Sequence, residues 1–394
     1  MTTFTGGMTP SEYYDALNNL SANLPSYFNI EDYGAIGNDS TDNTTAIQDC
    51  IDACLADGGG TVFVPPGTFK THTIATYPKV KMLGLVGSSI LKSISAEPLI
   101  NLLNDDAVYC EGFEGIELVG DSIGTIGLNL KKLIGFKFKN ISIREFTTCG
   151  AYLSGCLIGH FDNCYFTYDV IGVWGVLNSD SGSWNSNLVT FKNCGFYHNT
   201  TMGAKFTTAL MTAFRDCDFE HNGTNGNSNT GCIYVQSGQI YTGQYGRLLQ
   251  IDNSWFEANY GTLVSIIDGN NGNGGQLSTI ADSMFIINTN ATAAVKITGV
   301  GSNNHLILRG SGLMDAGAGV TLSGAKTMVI NQQSDIVGSI TITSDAIYKN
   351  HLPHSLEEDD YTVSGARDNP EGALADLITK LVAQGIIIDG TTET

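Results

Sequence analysis

The side chains best equipped for chemistry lie in a few short stretches. Asp218 and Glu220 stand two residues apart, as do Trp255 and Glu257, with Tyr165 and Tyr197 upstream. Carboxyls held close together push one another's pKa values apart, so that one keeps its proton while another gives its up. Such a pair can cleave a glycosidic bond: a separation of roughly 5–5.5 Å suits a retaining mechanism and roughly 6.5–9.5 Å an inverting one. Aromatic rings add flat apolar faces against which a sugar ring can lie. Glu220, Glu257 and Asp218, in that order, are therefore candidate catalytic residues, and Trp255, Tyr197 and Tyr165 candidate substrate-binding residues. The competing role for the same acids is a solvated outer surface, so everything depends on whether one element brings them together.

That element is a repeat. The pattern apolar-x-Asn/Asp-x-x-apolar occurs at Phe138–Ile143, Phe161–Phe166, Phe191–Phe196, Phe214–Phe219, Ile251–Phe256 and Ile280–Phe285, with a degraded copy at Leu308–Leu313. Its last apolar residue steps along the chain by 23, 30, 23, 37, 29 and 28 residues, the spacing of one solenoid turn. The longest step leaves room for an insertion at 236–246. If the last apolar residue points inward, its two neighbours point outward. One outer face then collects Tyr165, Tyr197, Asp218, Glu220, Trp255 and Glu257. With turns roughly 4.8 Å apart, Glu220 and Glu257 come within about 5–6 Å, and Asp218 and Glu257 within about 7–8 Å on the diagonal. The Asn/Asp column suits a bend that needs left-handed backbone. Cys164, Cys194 and Cys217 fall in register as small buried residues. His198 and His221 line the following turn and lack a third ligand at useful spacing, so neither metal nor cofactor is expected.

The segment Ile30–Thr68 explains how such a solenoid begins. Ala46, Ile47, Cys50, Ile51, Cys54 and Leu55 recur at helical spacing, Gly58-Gly59-Gly60 stops the helix, and Thr61–Val64 reads as a strand. The run DYGAIGNDSTDNTTAIQDCIDAC followed by GGGTVFVPPGTF resembles the N-terminal signature of pectate-lyase-like β-helix proteins, a family that includes many bacteriophage tailspikes. The resemblance covers about 40 residues and implies a fold: all-β, a right-handed parallel β-helix, with this helix capping its open end. It carries over no lyase motif. The leader, with TGGMTPSEYYDALNNLS, is similar to N-termini of phage tail proteins. Three units follow: 1–29 as a leader for attachment, 30–345 as the β-helix, and 346–394 as a tail whose Pro370–Gln384 stretch reads as a helix for capping or oligomerisation.

Composition limits the partners. A net charge of -20 over 394 residues repels nucleic acid and anionic membrane surfaces. No apolar stretch is long enough to span a bilayer, and Met1–Pro10 has no apolar signal core. The resemblance implies a tailspike or tail-fibre protein of the virion. Such a protein is made in the host cytoplasm, is homotrimeric, is joined to other tail proteins by its leader, and binds a host surface polysaccharide. Whether it also depolymerises that glycan stays open, with hydrolysis favoured over elimination. A cellular polysaccharide lyase or glycoside hydrolase and a non-catalytic structural appendage are the alternatives.

Overall fold

The structure, a computed structural model, describes residues 26–350 apart from 111, 179–185, 238–245, 268–275, 287–290, 299–303, 315–319, 324–326, 333–334, 337–339 and 344–346. The leader, the Pro370–Gln384 helix and most of the 236–246 insertion lie outside the described residues.

The chain winds as a right-handed parallel β-helix. Each turn visits three sheets, which hold 13, 12 and 11 strands among the described residues, and the strand pairing is parallel throughout. The repeat dictates this winding. Its first apolar residue enters the first sheet, with Phe138, Phe161, Phe191, Phe214 and Ile251 paired in register. Its last enters the second sheet as Ile143, Phe166, Phe196, Phe219, Phe256 and Phe285. Stacking identical residues one turn apart puts ring on ring: centroid separations are 4.6 Å for Phe196–Phe219, 4.7 Å for Phe219–Phe256 and 4.3 Å for Phe256–Phe285. Each such pair adds about 0.5–1.5 kcal/mol beyond burial. These rings form the centre of the core.

Between the first two sheets the backbone turns sharply. Asn140, Asn163, Asn193, Asp216, Asn253 and Asp282 all sit there at φ between 43° and 54°, a conformation that Asn and Asp tolerate best after Gly. Their side chains link neighbouring turns where a donor exists: Asn163 Nδ2 donates to Asn140 Oδ1 at 2.7 Å, and Asn253 Nδ2 to Asp216 Oδ1 at 2.7 Å. The aspartates Asp216 and Asp282 can only accept, so the side-chain links do not run unbroken along the column. The next residue turns inward. Cys164, Cys194 and Cys217 are buried, each Sγ–H within 3.5 Å of a backbone carbonyl, and Ser254, Ser283 and Ser311 continue the column.

At the N-terminal end, helix α1 (Thr44–Ala56) buries Ile47, Cys50, Ile51 and Cys54 against the solenoid opening. Asn43 precedes it without capping it. Its buried side chain instead ties Ile36 and Thr41 together, and the Thr44 amide donates to Asp42. Gly34 closes a short 3-10 helix at Ile30–Tyr33, and the strands are Ser26–Asn29 and Asn38–Asp42. Strands thus precede residue 30 and continue to Ile347–Asn350.

Candidate functional site

Five short strands of the second sheet carry the site: β1 (Tyr165–Thr167), β2 (Gly195–Tyr197), β3 (Asp218–Glu220), β4 (Trp255–Glu257) and β5 (Met284–Ile286). In each, the central Phe is buried and its neighbours face out, because side chains alternate along a strand. Register then fixes a grid. One column runs Tyr165, Gly195, Asp218, Trp255, Met284 and the other Thr167, Tyr197, Glu220, Glu257, Ile286. All six residues singled out in the sequence therefore share one outer face.

The gap at Gly195 shapes that face. A Cβ there would lie 2.5 Å from the Tyr197 ring, so glycine is what lets the ring lie across its strand. From that position the Tyr197 hydroxyl donates to Asp218 Oδ2 at 3.2 Å, and the ring stacks beside Tyr165 with centroids 6.3 Å apart. Trp255 is 41% exposed, and its Nε1–H donates to Glu257 Oε2 at 3.0 Å. The Tyr165 hydroxyl donates to Asn163 Oδ1 at 3.4 Å, so each of the three ring donors on the face is engaged, two of them by acids.

Asp218 is the carboxyl driven toward its protonated form. Burial pushes it up most, to about 6; the charges of Glu220 and Glu257 push the same way, and the Tyr197 hydrogen bond partly opposes them. Its Oδ1 is buried without a partner. Burial and the negative charge of Asp218 also push the Tyr197 phenol upward. The sequence places Asp218 third among the candidate acids, and its lateral neighbours on the sheet are Gly195 and Trp255. The structure adds the burial under Tyr197, which no spacing rule reveals.

The cations nearby are engaged or face elsewhere. Arg144, two turns upstream of Tyr197 in its column, holds Glu117 at 2.5 Å and also pairs with Glu145. Lys192 and Arg215 lie on the first sheet, beyond the bend, and Arg215 faces Asp252 at 3.7 Å. His198 and His221 occupy the left-handed turn after β2 and β3, at φ 57° and 56°. Their rings stack at 4.7 Å and continue onto Tyr168 at 4.8 Å. Burial and the neighbouring His221 hold His198 below the usual histidine range. Among the described residues no three His, Cys, Asp or Glu side chains converge as metal ligands.

Three features escaped sequence reasoning. A buried ladder runs through Asp169, Asn199, Asn222 and Asn259, each three residues after the last Phe of its repeat, a recurrence the spacing could have revealed. A hollow of about 150 Å³, lined by Val86, Ile116, Glu117, Asn140 and Tyr165 among others, adjoins the upstream end of the face. On the third sheet, Lys205 Nζ lies 5.1 Å from the Trp174 ring centroid and 5.9 Å from that of Tyr234.

Residues 27–246, more than half of the chain, match the family described as rhamnogalacturonase A/epimerase, pectate lyase-like, and the chain belongs to that family. A curated relative, mannuronan C5-epimerase AlgE3 of Azotobacter vinelandii, is 51% identical over 43 residues, which are 11% of this chain and 2% of that protein. Among solved structures, ORF18 of Geobacillus virus E2 superposes with a TM-score of 0.57 at 19% identity, over 87% of this chain and 66% of that one. The A-module of mannuronan C-5 epimerase AlgE6 from Azotobacter vinelandii superposes with a TM-score of 0.52 at 17% identity, over 87% of this chain and all of the other. These likenesses establish the fold. The chain spans only a small fraction of that curated relative.

Proposed function

We propose that this protein is a tailspike-type receptor-binding protein of a bacteriophage virion that binds a host surface polysaccharide across the face from Tyr165 to Glu257 and hydrolyses it there. The observation that carries the reading is Asp218: a half-buried carboxyl pushed up to about 6, set among two further acids and three aromatic rings. A carboxyl at that value is still substantially protonated in mildly acidic solution and can protonate a leaving glycosidic oxygen. Glu257, oriented by the Trp255 indole, is the base that activates water. The two acids are diagonal neighbours across β3 and β4, a spacing of about 7–8 Å that suits inversion. Glu220 lies beside both and supplies negative charge that keeps Asp218 protonated. Trp255 and the Tyr165–Tyr197 pair receive sugar faces on either side.

The viral context rests on the resemblance of the cap segment to a family that includes many tailspikes and of the leader to N-termini of phage tail proteins, and a virus protein shares the fold. Three copies around a closed axis, joined to the tail through the leader, complete the reading. The test is incubation with capsule or lipopolysaccharide from candidate hosts, with released oligosaccharides followed by proton NMR. The reading expects release of an anomer inverted relative to the polymer. Absence of release from every glycan that binds the protein would remove the hydrolase, and release unaffected by Asp218→Asn and Glu257→Gln would remove the site.

A further inference from the structure

We infer that the stretch of glycan seated over β2 to β4 is uncharged, carrying no uronate, sialate or phosphate there; the inference rests on the site reading above. Its ground is the sign of the field. Asp218, Glu220 and Glu257 fill three positions of a two-by-two grid, and Trp255 fills the fourth. The charged groups acting on Asp218 are acids, and the group holding its pKa down is a neutral phenol. Tyr197 feels the same negative surroundings. In the ring stack beside the face, His198 is held toward its neutral form by burial and by its neighbour His221. Arg144, two turns upstream of Tyr197 in the same column, and Arg215, on the first sheet, are paired with Glu117 and Asp252.

Hydrogen-bonding supply points the same way. The Tyr197 hydroxyl and the Trp255 indole N–H already donate to Asp218 and Glu257. The Tyr165 hydroxyl donates to Asn163, so the face presents chiefly carboxylate acceptors and the exposed surfaces of Trp255 and Tyr165. Sugar hydroxyls are donors and sugar C–H faces are apolar, so a neutral saccharide satisfies both. An anionic sugar would bring further acceptors and like charge into a partly desolvated place, where charge interactions are weakly screened. Proteins similar to this chain are named for mannuronan, a uronate polymer, and the acidic face here differs from what those names would suggest.

The test uses the full chain on a glycan array that holds neutral and acidic bacterial oligosaccharides. Trp255→Ala marks which hits use the face. Neutral hits weakened by that substitution are expected. Each is then oxidised at C6 to its uronate form, which should bind roughly 100-fold more weakly and recover at least tenfold of that loss in the triple variant Asp218→Asn, Glu220→Gln, Glu257→Gln. All three are outward-facing and partly exposed, and an unchanged melting temperature verifies the fold. Acidic hits that need Trp255 and bind no better to the triple variant would overturn the inference while leaving the site standing. No hit that depends on Trp255 would overturn the site reading and the inference with it.

Discussion

Replacing Asp169 by Asn should stabilise the protein, increasingly so as pH rises. Asn199, Asn222 and Asn259 each use both ends of the amide. Their Oδ1 atoms accept the backbone N–H of the equivalent residue one turn earlier, from Asp169, Asn199 and Asn222. Their Nδ2 atoms donate to the carbonyls of Phe166, Phe196 and Phe219, at 3.0, 2.7 and 2.7 Å. Asp169 occupies the same place on the turn before. Its Oδ1 accepts the Phe146 N–H at 2.8 Å, but its buried Oδ2 has no partner. The carbonyl that register assigns to it is that of Ile143, and a carboxyl can donate to it only when protonated. Burial pushes Asp169 well above the usual carboxylate range, and Glu145 pushes it further. A folded-state value above the unfolded one gives stability that is complete below the unfolded value, near 3.8, and is lost as pH rises toward the folded value. Within that window the loss is about 1.4 kcal/mol per pH unit for one proton. An asparagine carries its donor at every pH. Urea unfolding of both proteins at pH 4, 5, 6 and 7 should show curves that lie close at pH 4 and diverge by about that slope, with Asp169→Asn on top. Parallel curves, or a variant less stable at pH 7, would refute the reasoning.

Tyr197→Phe keeps the ring over Gly195 but removes the hydrogen bond that favours ionised Asp218. The carboxyl should rise by roughly half to one pH unit, measurable by carbon-13 NMR titration of labelled aspartate. Phe219→Ala opens a hole in the middle of the ring stack and should cost about 3–5 kcal/mol in urea unfolding. Trp255→Ala should weaken binding of a neutral oligosaccharide by roughly tenfold or more, through lost stacking, while leaving the unfolding midpoint within error of wild type.

How far the sequence reaches can be seen residue by residue. Phe166, Phe196, Phe219 and Phe256 recur at a fixed place in the repeat, and inward packing of one residue per turn sets the direction of its neighbours. The grouping of Tyr165, Tyr197, Asp218, Glu220, Trp255 and Glu257 on one face followed from that alone, since strand alternation leaves no freedom. What spacing does not carry is how side chains lie on the face. Tyr197 leans across Gly195 to reach Asp218, a half-buried acid, with a hydrogen bond that spacing does not reveal. The ladder from Asp169 to Asn259 was hidden for another reason: it lies at the next bend, beside the more conspicuous His198 and His221. Its role depends on each amide meeting two backbone groups at once, which only the folded backbone displays.

The most direct test of the central claim is the pH dependence of kcat/KM for oligosaccharide release, measured in parallel for wild type and Asp218→Asn. If Asp218 is the acid of this face, the wild-type rate falls tenfold per pH unit above about 6, and the variant is slower by roughly 100-fold or more with that limb absent. A wild-type rate that stays level from pH 5 to 8, or an Asp218→Asn protein that keeps both the rate and the limb, would contradict it.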